Sequence, residues 1–172
     1  MRTAFFDLHT KQWDIKEFEE YAFEDFSCIL MQDGNVMLAG GVDGDDDDTG
    51  DCYMYNPINN TVKKIASMNH PRSSPGLCTL PNGNIFVCGG KSRHLEEYDP
   101  AKNEWTVLAD IISEVLMPKC IVVGRQVLMA GENWDSEYWT EFHTYDLDKK
   151  ITIEREWPMD EGAADLALVP LY

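Results

Sequence analysis

The chain has 172 residues, 44% of them hydrophobic, so it is long enough to bury a core and too apolar for a disordered tail. No segment approaches the ~20 consecutive apolar residues that a membrane-spanning helix requires. The net charge of −17 repels polyphosphate and argues against nucleic acid as a partner.

The five cysteines are spread along the chain without a CxxC pair, which predicts neither a disulfide framework nor a zinc site. Their odd number and wide spacing fit a reducing compartment. We therefore expect a soluble cytoplasmic protein without a metal or other cofactor, and we place no membrane segment in it.

An aromatic residue recurs along the chain, with a second marker seven residues after it. The four pairs are Phe6 with Trp13, Tyr55 with Val62, Tyr98 with Trp105, and Tyr145 with Thr152. Successive pairs lie 49, 43 and 47 residues apart. This period lies in the range of four-stranded β-propeller blades, which repeat every ~40 to 50 residues.

Small residues give a second marker in the same register. Gly40-Gly41 and Gly89-Gly90 each end a short apolar run, and Ala130-Gly131 ends a similar run with Ala130 in the place of the first glycine. The distances from each aromatic residue to the next pair are 34, 34 and 32 residues. Two independent markers therefore define the same repeat.

The third repeat predicts four strands, at residues 76–80, 85–89, 94–98 and 105–108. A Pro-Asn-Gly-Asn turn at 81–84 reverses the chain between the first two strands. The second repeat has Asp33-Gly34 at this turn, and the fourth has Gly124-Arg125.

This combination resembles the kelch repeat: a glycine pair closes one strand, Tyr98-Asp99-Pro100 forms the next, and Trp105 follows. The resemblance runs from about Phe6 to Trp157 and is strongest in the third repeat. It implies an all-β, kelch-type β-propeller with about three full four-stranded blades and a split or partial fourth. We expect one kelch-repeat domain over 1–172, with a partial blade at 1–18, blades at 26–67, 75–110 and 115–158, and a first strand at 162–172.

The two terminal pieces leave the architecture open. Their meeting would close a four-bladed ring with one three-stranded blade. Alternatively, the chain is an incomplete propeller whose open edges pair with further blades or with another chain, because unpaired strand edges promote association. We favour the incomplete propeller, since repeat arrays rarely tolerate bare ends.

Most motif residues are expected to be scaffold. Large aromatic residues carry packing energy when buried between blades. We place three cysteines, Cys28, Cys78 and Cys120, at matching core positions in first strands. The four histidines, His9, His70, His94 and His143, are expected at the surface rather than as metal ligands.

Variation in length falls in the connections between second and third strands, which predicts function there. In kelch propellers these connections share a face with the links between blades, and the resemblance implies peptide binding on that face. Thirteen acidic residues and one base lie between Asp14 and Asp51, a net charge of −12, and the acids fall largely in two such segments. This favours a basic partner, although such a run is commonly only a solvated loop. Calcium fits poorly, because the DxDxDG spacing is absent.

Our candidate partner-binding residues are of three kinds. They are the acids Asp45, Asp46, Asp47 and Asp48, the aromatic residues Trp134, Tyr138 and Trp139 of a long loop, and the arginines Arg72 and Arg93. Aromatic residues beside carboxylates are typical of interface hot spots, and arginine grips carboxylates bidentately. The alternative is that Trp134 and Trp139 pack on a blade edge and that Arg72 only braces the chain.

No GxSxG, P-loop, GxGxxG or HExxH motif occurs, so we expect no enzyme. Three hypotheses remain. The first is a protein-interaction module that binds a partner segment, possibly a basic one. The second is an assembly element that completes a propeller with another chain, and the third is a kelch-type carbohydrate-modifying enzyme.

Overall fold

A computed structural model describes residues 2–7, 9–17, 24–133 and 140–155 of the chain. All of its regular elements in these ranges are β-strands. They are β1 (Arg2–Asp7), β2 (Gln12–Glu17), β3 (Ser27–Leu30), β4 (Val36–Ala39), β5 (Cys52–Asn56), β6 (Thr61–Ile65), β7 (Gly76–Thr79), β8 (Ile85–Cys88), β9 (His94–Asp99), β10 (Glu104–Asp110), β11 (Leu116–Val123), β12 (Gln126–Glu132), β13 (Thr140–Asp146) and β14 (Ile151–Arg155). The described ranges contain no helix long and apolar enough to cross a bilayer.

The strands form three four-stranded antiparallel sheets and one two-stranded sheet. The larger sheets have the orders β3-β4-β5-β6, β7-β8-β9-β10 and β11-β12-β13-β14, and β1 pairs with β2. The first strands are neighbours, because β7 lies against both β3 and β11. The all-β prediction of meandering four-stranded blades in a partial propeller is therefore confirmed. We call the three large sheets the first, second and third blades.

The seven-residue spacing of the sequence markers has a direct structural meaning. In each sheet the two marked residues lie opposite each other on the last two strands. The pairs are Phe6 and Trp13, Tyr55 and Val62, Tyr98 and Trp105, and Tyr145 and Thr152. Each hairpin therefore has the same register, and the aromatic side chain meets the same cross-strand position every time.

The turn between these strands carries a left-handed residue in every repeat. The φ angles of Lys11, Asn60, Asn103 and Lys150 are 56°, 55°, 56° and 56°. Each of these residues stands five positions after the aromatic marker. Asparagine is the non-glycine residue that tolerates this conformation best, which accounts for two of the four positions.

The register corrects the alignment of the third glycine marker. The residue opposite each blade tyrosine is Val36, Ile85 or Val127. Four residues further on, the chain reaches Gly40, Gly89 and Gly131 respectively. Gly131, and not Ala130, therefore holds the first-glycine position, where an added Cβ would lie 2.4 Å from a methyl carbon of Val115.

The core lies between neighbouring blades in two clusters of buried residues. The first and second blades enclose Met31, Met37, Ala39, Cys52, Met68, Ile85, Val87 and Tyr98. The second and third blades enclose Cys78, Leu80, Phe86, Cys88, Leu95, Ile111, Val115, Cys120, Val127, Met129 and Tyr145. The expected packing role of the blade tyrosines is confirmed, whereas Trp13 of the two-stranded sheet is 66% exposed.

The prediction of three matching buried cysteines is wrong in two respects. Cys28 is exposed, whereas Cys78 and Cys120 are buried. Cys28 and Cys120 lie opposite equivalent second-strand residues, but Cys78 lies one position later and faces the other side of its sheet. Hydrogen bonding to the thiols of Cys78 and Cys88, together with burial, raises the pKa of Cys120, so this thiol is unreactive near neutral pH.

Asn103 and Trp105 join the second blade to the end of the first. The Asn103 side-chain oxygen accepts hydrogen bonds from the Tyr98 hydroxyl at 2.9 Å and from the Ala66 amide at 2.9 Å. The Trp105 indole donates to the Ala66 carbonyl at 2.9 Å. Side chains in and after this turn of the second blade therefore satisfy the backbone amide and carbonyl of Ala66, at the end of the first blade.

Replacement of Asn103 by glycine tests this junction. Glycine keeps the positive φ without strain but removes the oxygen that two donors share. We expect the free energy of unfolding to fall by about 1–3 kcal/mol, measured by urea denaturation.

The matched control is Asn60→Gly, at φ 55°, where the side-chain oxygen accepts a longer bond of 3.2 Å from Tyr55. A smaller loss is expected there. Equal losses for the two variants would show that the turn conformation, and not the junction between blades, determines the effect.

Candidate partner-binding face

Links between blades and connections from second to third strands meet on one face. The amide of Gly41 donates to the Arg72 carbonyl at 2.9 Å, and that of Gly90 donates to the Val115 carbonyl at 3.0 Å. An added Cβ at Gly40 would lie 2.3 Å from the Arg72 carbonyl oxygen. Each link therefore crosses directly over the glycine pair, and Arg72 and Val115 occupy equivalent positions.

The acidic connection after β4 is a structured turn. Asp43 accepts hydrogen bonds on one side-chain oxygen from the amides of Asp45 (2.9 Å) and Asp47 (3.2 Å), and Asp46 has a φ of 62°. The side chains of Asp45, Asp46 and Asp47 are exposed. Their carboxylates accept no hydrogen bond within the described ranges, so their charges point to solvent.

The connection is also tied to its surroundings. Val42 forms isolated bridges with Glu24 and Asp48, which place the loop beside the chain that enters the first blade. Lys91, in the corresponding connection of the second blade, lies 3.4 Å from the Asp48 carboxylate. Asp48 is therefore partly buried and paired, unlike the three acids that precede it.

Arg72 is not available at the surface. Its side chain is fully buried and donates to the Glu96 carboxylate at 2.7 Å and to the carbonyl oxygens of Gly89 (3.1 Å) and His94 (3.0 Å). Burial lowers the pKa of Arg72, although Glu96 opposes that shift. The predicted contact of Arg72 with a partner is therefore wrong, because the link turns the side chain inward. Arg72 instead braces the chain, which was the alternative prediction.

Glu96 is the centre of the same buried network. It accepts hydrogen bonds from the backbone (2.8 Å) and side chain (2.7 Å) of Asn69 and from the amide of His70 (3.1 Å). Burial alone would raise the pKa of Glu96, but the Asn69 hydrogen bonds and the Arg72 charge hold it below its usual range. A single carboxylate thus fixes the link to the second blade.

Arg93 is exposed and lies beside the start of the link from the second blade to the third. Its carbonyl accepts from the Ile111 amide at 2.8 Å, and its guanidinium lies 4.0 Å from the Glu114 carboxylate, with 58% of the arginine side chain exposed. The guanidinium is therefore accessible from solvent.

A polar cluster that sequence reasoning missed lies between the second and third blades. The Ser113 hydroxyl donates to the Glu141 carboxylate, and Asn133 donates to the other carboxylate oxygen at 2.6 Å. The His143 Nε2 lies 3.3 Å from both Ser113 and Glu141. We call these four residues the Glu141 cluster.

His143 is 1% exposed, so its predicted surface position is wrong. It stands two residues before Tyr145, just as Glu96 stands two residues before Tyr98, and both side chains face the interior. The signal was available in the sequence: a titratable residue recurs at an inward position of the third strand. His70 and His94, in contrast, are partly exposed and stack with ring centroids 3.6 Å apart.

The geometry of the Glu141 cluster does not match a hydrolytic triad. In such a triad the acid binds one imidazole nitrogen and the serine the other. Here Ser113 and Glu141 both approach Nε2 of His143, and the serine proton is already directed to the carboxylate. The cluster can hold charge and hydrogen bonds, but it cannot relay a proton from serine through histidine to the acid.

No group of three or more His, Cys, Asp or Glu residues is placed to hold a metal ion within the described residues. Trp134, Tyr138 and Trp139 lie outside the described residues, between Asn133 and Thr140.

Comparison with known proteins gives the same repeat family. The kelch motif matches residues 72–111. Kelch-like protein 7 of Rattus norvegicus is 30% identical over 86 residues, which are 46% of this chain and 14% of that protein. Kelch-like protein 23 of Homo sapiens is 28% identical over 103 residues, 56% of this chain and 17% of that protein. Kelch-like protein 35 of Mus musculus is 28% identical over 117 residues, 63% of this chain and 19% of that protein.

These matches cover less than a fifth of each relative's own length. Four-stranded sheets whose links cross the ends of their second strands define the blades of a partial β-propeller. The second blade carries the kelch motif, and about half of the chain is similar to kelch-like proteins. Kelch repeat domains are typically protein-interaction modules.

The buried role of Arg72 can be tested with Arg72→Met, which keeps the length of the side chain but removes its charge. Glu96 would remain buried without its cation, and we expect the free energy of unfolding to fall by about 3–5 kcal/mol in denaturant titrations. Arg93→Met, at an exposed arginine, should change it by less than ~0.5 kcal/mol. A small effect at Arg72 would mean that water replaces the guanidinium at little cost.

Proposed function

We propose that this kelch-repeat domain is a protein-interaction module that binds a basic segment of a partner on the face described above. The observation that carries the proposal is the turn formed by Asp43, Asp45, Asp46 and Asp47, which holds exposed carboxylates on a hydrogen-bonded backbone. Because the loop is ordered by its own backbone contacts, a partner would gain charge pairing at a reduced cost in conformational entropy.

The neighbouring charges support the same assignment. Glu24 and Asp25, at the entry to the first blade, are exposed, and Glu24 bridges to Val42 at the base of the acidic turn. A concentrated negative field raises the rate at which a basic partner arrives. We include Arg93 as a contact for an acidic residue of the same partner.

Aromatic contacts complete the proposed surface. Trp134, Tyr138 and Trp139 follow Asn133 in the connection of the third blade, which corresponds to the acidic connection of the first. Their composition is that of interface hot spots, where aromatic residues contribute most of the binding energy. We propose one kelch-repeat domain without enzymatic activity, in line with the kelch-like relatives.

The charge proposal can be tested with Asp45, Asp46 and Asp47 changed together to asparagine. The probe is a fluorescent octalysine peptide, with binding followed by anisotropy at ~0.15 M salt, where the Debye length is about 8 Å. We expect the triple variant to bind at least ten times more weakly, because the loop keeps its backbone bonds and loses only its charge.

The control makes the same change of net charge elsewhere, with Asp33→Asn, Glu104→Gln and Asp148→Asn. These acids are exposed and lie in or directly beside the hairpin turns opposite the proposed face, and Asp148 is in addition paired with Arg125. Equal weakening by the two triple variants would show that net charge alone attracts the peptide, and the proposed face would be abandoned.

A second candidate, an assembly element, is favoured by the apolar side chains on the outer sides of the array. Val123 of the third blade is 52% exposed, whereas the equivalent Leu80 and Met31 are 4% and 5% exposed against their next blades. On the opposite side, Leu30 of the first blade is 67% exposed, while its equivalent Val122 packs on the second blade's core. Further blades or another chain would bury these positions.

Light scattering over a concentration series decides for or against assembly between copies. An assembly element should increase in mass with concentration, and Val123→Asp should abolish the increase. Val107→Asp, at a 43% exposed position of the outer strand β10, is the control. A constant monomeric mass would exclude assembly between copies of this chain.

A further inference from the structure

Glu141 is a largely buried carboxylate on the proposed face. Only 13% of its side chain is exposed, and it is the second residue of β13, close to the connection at 133–139. Its described hydrogen-bond partners are the hydroxyl of Ser113, the amide of Asn133 and the ring of His143. A hydroxyl and an amide satisfy oxygen atoms but do not balance a negative charge, and the imidazole balances it only when it is protonated.

The repeat shows how such a carboxylate is neutralised elsewhere in the molecule. Between the first and second blades, Arg72 of the link pairs with the buried Glu96 at 2.7 Å. In the next link Val115 takes the position of Arg72, as the matching bonds from Gly41 and Gly90 demonstrate. Within the described ranges, no lysine or arginine lies within ion-pair distance of Glu141.

The carboxylate oxygens of Glu141 can accept a hydrogen bond from one more donor. A carboxylate offers about four acceptor positions, and three groups already approach these two oxygens: the Ser113 hydroxyl and the His143 ring at Oε2, and the Asn133 amide at Oε1. The exposed part of the side chain leaves a position for a single charged N–H. An ammonium or guanidinium group provides such a donor, and a charge-assisted bond in a partly dehydrated site is stronger than one at an open surface.

We propose that Glu141 is an anchor for one lysine or arginine side chain of the partner segment, held in place by Ser113, Asn133 and His143. This inference rests on the proposed function and names a specific contact within it. Ser113 lies in a link and Glu141 at the edge of a long connection, which are the two kinds of segment that build the face. The acidic turn then attracts the basic segment, and Glu141 fixes the position of one of its side chains.

The test is a nuclear magnetic resonance titration of the full chain with the same octalysine peptide, and with an octa-arginine peptide in parallel. Glu141→Gln keeps the shape and the hydrogen bonds to neutral donors but removes the charge. We expect binding to weaken about tenfold, equivalent to about 1.4 kcal/mol. Glu104→Gln, the same change at the exposed first residue of β10, should weaken it less than twofold. In the unmodified chain, the signals of Ser113, Glu141 and His143 should shift and saturate with peptide.

The outcomes separate this inference from the proposed function. If neither peptide binds the unmodified chain, the proposed function fails, and the anchor fails with it. If the Asp45, Asp46 and Asp47 variant loses binding while Glu141→Gln binds normally, the function stands and the anchor is wrong. If Glu141→Gln does not fold, the shifts in the unmodified chain decide: movement confined to the acidic turn overturns the anchor, and movement at His143 supports it.

Discussion

The close crossing of each link over the end of a second strand is the constraint on which the rest of this structure depends. An added Cβ at Gly90 would lie 2.4 Å from the carbonyl oxygen of Ser73, and one at Gly41 would lie 2.4 Å from that of Glu24. Real side chains cannot approach backbone so closely. Glycine therefore brings consecutive blades within contact distance, and the two buried clusters form between the sheets as a result.

The two interfaces between blades have different side chains at equivalent buried positions. One buries the ion pair of Arg72 and Glu96, and the other places Val115 and His143 at the equivalent positions. A buried ion pair adds little net stability compared with apolar packing, but it is costly to break and specifies one arrangement of the chain. Because Val115 replaces the arginine, Glu141 has no lysine or arginine partner in the described chain, and this difference makes the second interface the candidate for binding a cation.

The face that results combines rigid and variable parts. Links and turns are held by hydrogen bonds to neighbouring blades, as between the Ala66 amide and the Asn103 side-chain oxygen. The connections between second and third strands differ in length and charge. A repeat scaffold can thus change its partner by changing connections without altering the packing between blades. In this chain the acidic turn of Asp43 is supported by its own side chain, so its carboxylates are presented in a defined arrangement.

The sequence alone determined the blades, because period, strand length and turn residues are local properties of the chain. The spacing of Tyr98 and Trp105 even fixed the hairpin register, since a tight turn of fixed length allows only one pairing. Three features were decided by tertiary structure: the position of Gly131 in the repeat, the burial of Arg72 and the exposure of Cys28. Each depends on how a link or a sheet face packs against the neighbouring blade. That is a property of the packed array, and in a strand a shift of one residue moves a side chain to the opposite face.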